Sequence, residues 1–203
     1  MHIEQTGNEG KRVSLGFGNI NVSVGDHIAH FYRNTEERLN VLGPYMIEGL
    51  RQGERCLLFS SPKAADELCD WLEARGIDTT KPRNSGQLLF HPGEATGEAM
   101  LALSTRIEAE SQKEGYPFVR ACGDAGWSLH GIKRPREMLC WEAFLDSKIK
   151  SWKALALCQI DLTRFGGNVV MDVMRSHGLC IMGELLIPNP FHVSPDTLIQ
   201  ELT

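Results

Sequence analysis

Short apolar runs alternate along this chain with longer stretches whose apolar positions recur at helical spacing. His27-Ile28-Ala29-His30-Phe31-Tyr32 reads as a strand. Asn34 or Thr35 then caps a helix with Glu36 and Glu37 in its first turn, where the helix dipole favours anions. Leu39, Leu42, Met46, Ile47 and Leu50 form its apolar stripe, and Gly53 ends it. Arg55-Cys56-Leu57-Leu58-Phe59 is the second strand, followed by a helix that opens at Pro62 and buries Leu68, Trp71 and Leu72. Gln87 to Phe90 is a third strand, and a helix from about Glu94 to Lys113 follows. Pro117 to Cys122 is a fourth strand, closed by Gly123-Asp124, and a helix runs from about Pro135 to Ile149. Ala154-Leu155-Ala156-Leu157-Cys158-Gln159-Ile160 is the most apolar strand and is expected at the centre of a sheet covered on both faces. A helix near Val169 to Ser176, short strands between Leu179 and Ile187, and a helix after Pro195 complete the pattern.

Strand–helix alternation predicts an α/β fold of three layers, a mainly parallel sheet with helices on both faces. Residues 1 to about 20 are polar and Gly-rich and read as a mobile arm or a short edge strand, which leaves 21–203 as one domain. The length of 203 residues suits one domain that buries a core without staples. A net charge of −5 with no basic run argues against direct nucleic-acid binding. The six cysteines form no Cys-x-x-Cys pair, and four sit in apolar runs, so all six are expected as free thiols. The chain shows neither a signal core nor an apolar run of membrane-spanning length, so no membrane contact and a cytoplasmic location are expected.

Open α/β sheets bind ligands beyond the carboxyl ends of their strands. That rule selects Tyr32 and Arg33, Ser60 and Ser61, Gly123, Asp124 and Trp127, and Gln159, Asp161, Arg164 and Phe165. The first strand-to-helix turn, Phe31 to Glu37, has no glycine or lysine and carries two carboxylates where a phosphate loop needs positive potential. Triphosphate hydrolysis is therefore not expected. His27 and His30 with Cys56 suggest a metal, but residues three apart on a strand face opposite ways, so neither metal nor cofactor is expected. Cys122, Asp124 and His130 can be drawn as a nucleophile and base, against the simpler reading of Cys122 as a buried thiol. Glu142 shares a helix with Met138 and Trp141 and faces either a pocket or water.

Several ordered segments resemble the MEDS family of sensory domains. They are Gly25-Asp26-His27-Ile28-x-His30-Phe31-Tyr32, Gly49 to Leu57, Gly123 to Leu129, Cys158 to Phe165, and Val173-x-Arg175-x-His177. The resemblance covers about residues 24–193. It implies a RecA/KaiC-like core without a phosphate loop, and sensing of small organic or hydrocarbon-derived compounds. Members are commonly fused to histidine kinase or DNA-binding modules. No such module is seen here, so the output is expected through a regulatory partner, such as a kinase or transcription factor, or through self-association into a homo-oligomer. Ala29 stands where the family often carries Cys or a similar residue.

The expected protein is a non-catalytic sensor with a small organic ligand at the carboxyl edge of the sheet. His27, His30 and Tyr32 form one wall, Ser60, Asp124 and Trp127 another, and Asp161, Arg164 and Phe165 the rim. Trp127 reads equally well as core, and Asp161 with Arg164 as a local ion pair. The alternative is a degenerate nucleotide-binding protein that has lost hydrolysis.

Overall fold

A computed structural model describes residues 11–126 and 135–202. The elements are β1 (Arg12–Ser14), β2 (Asn21–Ser23), β3 (His27–Tyr32), α1 (Thr35–Arg51), β4 (Arg55–Phe59), α2 (Pro62–Glu73), α3 (Thr80–Asn84) and β5 (Leu88–His91). They continue as α4 (Gly97–Lys113), β6 (Val119–Asp124), α5 (Pro135–Ile149), β7 (Ala154–Asp161), α6 (Gly167–Arg175), β8 (Leu179–Met182), β9 (Leu185–Pro188) and α7 (Pro195–Leu202). Seven strands form one sheet in the order β5-β4-β6-β7-β3-β8-β9. All pairs are parallel except β8 with β9. The apolar strand expected at the centre, β7, is the middle one.

The two faces of the sheet bury different things. Leu58, Leu155 and Leu157 pack under α1 and α2, with Leu42, Met46, Leu68 and Leu72. Ala29, Phe31, Leu57, Ala156 and Ile160 pack under α4, α5 and α6, with Met100, Ile107, Leu139, Leu145 and Val173. This is the three-layer α/β arrangement the alternation predicts. The short-strand reading of the first 20 residues describes 12–14, which pair with β2 as a separate ribbon. Val13, Leu15 and Val22 anchor that ribbon in the α1-side core.

Helix ends follow local chemistry. The Asn34 side chain accepts the Glu37 amide at 2.9 Å, and Ser61 and Thr96 cap α2 and α4 in the same way. Gly53 turns the chain out of α1 at φ +70°. All six cysteines are free thiols. Among the described residues no helix is long and apolar enough to cross a membrane.

Candidate functional site

The expected carboxyl-edge site comes together in part. Tyr32 lies opposite Asp161, and Asp124 opposite Gln159, so the ends of β3, β7 and β6 are adjacent. Tyr32, Asp124, Asp161 and Arg164 share a polar recess with Asn34, Arg38 and Glu67. Arg164 reaches Asp124 at 3.5 Å and donates to the Gly126 carbonyl at 3.1 Å. A Cβ at Gly126 would come within 2.8 Å of that guanidinium, so the glycine is what lets Arg164 lie across the turn. Arg38 is likewise paired, with Glu67 at 2.7 Å.

The other expected residues lie elsewhere. Ser60 is buried at the end of β4, outside the residues lining this recess. Phe165 packs against the α5-side core. Trp127 and His130 lie outside the described residues. His30 is buried on the α1 face, where the Gln159 amide donates to its Nδ1 at 3.2 Å. His27 opens β3 at the end away from Tyr32, on the α5 face, and so does not share a wall with it. His27 and His30 do point to opposite faces, and Cys56 lies in the α1-side core.

Burial holds His30 at a pKa of about 4, below its ordinary 6.5. The folded protein therefore resists protonation that the unfolded chain accepts. Stability from this residue is complete above pH 6.5 and is lost as the pH falls towards 4, by on the order of 3 kcal/mol. His30→Gln is expected to remove that part of the acid slope, measured by urea unfolding at several pH values across the window. An unchanged slope would contradict the assignment.

A second site lies between the sheet and the α4–α5 layer. On this face the central strands carry small side chains: Ala121 and Gly123 from β6, and Ala154, Ala156 and Cys158 from β7. They leave a cavity of about 60 Å³, walled by Leu57, Phe59, Met100, Trp141 and Leu145. Ala121 has strands on both sides, yet keeps accessible surface because it faces this space. One water needs about 10–15 Å³ by the same kind of measure, so a molecule of a few heavy atoms fits.

Two polar side chains of the cavity wall, Glu142 and Cys158, belong to a fully buried cluster with His27 and His177. His27 Nε2 lies 3.2 Å from Glu142 Oε2 and 3.2 Å from Cys158 Sγ. Cys158 Sγ is 3.5 Å, and His177 Nε2 3.6 Å, from the same Glu142 oxygen. The Asp146 carboxylate links His27, at 3.5 Å, to the part-exposed His192, at 2.9 Å. Burial opposes charge on His27, but Cys158, Asp146 and Glu142 outweigh it and hold the His27 pKa well above its ordinary value. Burial, then the neighbouring His27 charge, pushes His177 down to about 3. Burial, then Glu142, pushes the Cys158 thiol up to about 12. Burial, then the neighbouring Cys158, holds the Cys122 thiol well above its ordinary value, opposed only in part by Arg38.

Sequence reasoning singled out His27 of this cluster and left Glu142 undecided. Cys158 and His177 carried no spacing signal, because the cluster is assembled from β3, α5, β7 and the segment after α6. The sequence profile of the family described as "MEDS: MEthanogen/methylotroph, DcmR Sensory domain" matches residues 26–178. The chain belongs to the MEDS family. That match contains the cavity, the buried cluster and the carboxyl-edge recess. The chain is also similar to the transcriptional repressor DcmR of Methylorubrum extorquens, at 24% identity over 159 residues. The alignment covers 78% of this chain and 60% of that repressor. The family is described as a sensory domain.

Proposed function

We propose that this MEDS chain is a non-catalytic small-molecule sensor whose ligand, a small apolar organic compound, sits in the cavity between the central strands and α4–α5. The observation that carries the reading is the row of small side chains at Ala121, Gly123, Ala154 and Ala156, which keeps space open in the middle of the sheet. Apolar walls with a few placed polar groups suit such a ligand. A molecule that binds only the native state stabilises it and biases how α4 and α5 pack on the sheet. A regulatory partner would read that change, and the similarity to a transcriptional repressor supports transcription as its target. Buried thiols with raised pKa values at Cys122 and Cys158 favour binding over nucleophilic catalysis.

A polar ligand at the carboxyl edge is the second reading, favoured by the shared recess of Tyr32, Asp124, Asp161 and Arg164. Arg38 and Arg164 are both already paired with carboxylates there, which weakens the appeal of that recess to phosphates.

Thermal unfolding with xenon and a series of short alcohols, ketones and haloalkanes tests the cavity. A fitting compound at about a hundred times its Kd is expected to add about 2.7 kcal/mol of stability. Ala121→Leu, which fills the space, is expected to abolish that gain. A gain that survives in Ala121→Leu, or no gain from any compound, would reject the cavity as the ligand site.

A further inference from the structure

The buried cluster supports an inference that goes beyond ligand sensing and does not depend on it. We infer that His27, Glu142, Cys158 and His177 form a four-ligand site for a divalent transition metal, with Zn²⁺ the fitting ion.

The geometry argues first. The four donor atoms lie within 4.8 Å of one another. Four of the separations are 3.2, 3.2, 3.5 and 3.6 Å. A tetrahedral Zn²⁺ with bonds of about 2.0–2.3 Å sets its donors about 3.3–3.7 Å apart. The donor set, one sulfur, two imidazole nitrogens and one carboxylate oxygen, is of the kind that zinc takes.

The histidine hydrogen bonds argue second. His27 Nδ1 faces the Ser176 carbonyl at 3.1 Å, and His177 Nδ1 faces the Val173 carbonyl at 2.8 Å. A carbonyl only accepts, so each Nδ1 carries a hydrogen and donates. In a neutral ring this leaves Nε2 as a bare lone pair aimed into the cluster. Metal-ligating histidines are oriented by the same kind of outer hydrogen bond.

The unsatisfied atom argues third. His177 Nε2 is buried and has no hydrogen-bond partner among the described residues. It faces a carboxylate oxygen, which is also an acceptor, at 3.6 Å. A metal-free ion pair between His27 and Glu142 satisfies His27 and leaves this atom orphaned. A cation between the donors satisfies all four. One thiolate and one carboxylate also neutralise a divalent ion, so the filled site carries no net buried charge. A recess at the amino edge of the sheet, lined by Asp26, His27, Asp146 and His192, borders the cluster on its His27 side. The metal would tie β3, α5, β7 and the segment after α6 together. Glu142 and Cys158 would at the same time fix one wall of the apolar cavity.

The test takes the full chain, reduced and stripped with a chelator, and titrates it with Co²⁺ and then Zn²⁺. One equivalent of Co²⁺ is expected to give the strong visible bands of four-coordinate cobalt and a near-ultraviolet thiolate charge-transfer band, both removed by Zn²⁺. Cys158→Ser is expected to lose the thiolate band and to weaken zinc binding by at least about tenfold. Cys180→Ser is expected to keep both. X-ray absorption of the zinc-loaded wild type needs no variant to fold. It should show one sulfur at about 2.3 Å and three lighter donors at about 2.0–2.2 Å. Absence of stoichiometric binding, a thiolate band that persists in Cys158→Ser, or a zinc shell without sulfur or with more than one would overturn the site.

Discussion

Glu54→Ala is expected to destabilise the protein by about 3–5 kcal/mol, because it leaves a buried guanidinium without its counter-charge. Arg120 has no exposed surface, and its Nε donates to the Glu54 carboxylate. Its other contacts are weaker: the Ser14 carbonyl at 3.1 Å and the faces of the Tyr45 ring at 4.7 Å and the Phe118 ring at 5.8 Å. The backbone is shaped around this pair. A Cβ at Gly49 would come 2.7 Å from Arg120 Cδ and 2.6 Å from Cys56 Sγ, so only glycine lets α1 approach. Glu54→Gln keeps an acceptor and should cost less. Replacing both partners, as in Glu54→Leu with Arg120→Met, should recover most of the loss. Urea unfolding of the three variants checks this. A loss below about 1 kcal/mol for Glu54→Ala would mean that Arg120 finds water or another partner.

Trp141→Ala is expected to cost about 3–5 kcal/mol and to change which ligands the protein accepts. Trp141 is buried on α5, packs with Met100 and Leu145, and walls the cavity. Removing the indole deletes apolar contact and enlarges the space. Thermal unfolding should then show that bulkier members of the ligand series stabilise the variant more than they stabilise the wild type. Equal stabilisation of both proteins by every compound would separate Trp141 from the ligand. The stability loss alone would then mark it as core.

Both predictions rest on features that periodicity only half reveals. Long apolar runs and capped amphipathic stretches made β3, β4, β7 and the long helices legible, since burial imposes those patterns directly. The ribbon strand β2 and the helix α3 were not legible, and β1 was legible only as one of two readings of the first 20 residues. They have three and five residues, too few for a period to show, and β1 and β2 are held by Val13, Leu15 and Val22 reaching a distant core. The strand-end rule grouped Tyr32, Asp124, Asp161 and Arg164, and register places those positions side by side. His27, which the sequence reading set on one wall with Tyr32, instead opens the strand that Tyr32 ends. Five steps of about 3.3 Å separate them, so one small ligand does not touch both. The cavity left no mark in the sequence: Ala121, Ala154 and Ala156 read as ordinary strand residues until the helices opposite them are known. The Gly49 to Leu57 segment, which resembles a family block, holds Glu54 of the Glu54–Arg120 pair, the close approach of α1 at Gly49, and Leu57 of the cavity wall.

The most direct test of the account is methyl and aromatic NMR during titration with a compound from the series that stabilises the protein. Saturable shifts are expected at the Ala121 and Ala156 methyls, at Leu145 and at the Trp141 ring, with Tyr32 unmoved. Shifts centred on Tyr32 and the Thr35 methyl at the carboxyl edge, with Ala121, Ala156 and Trp141 silent, would contradict it.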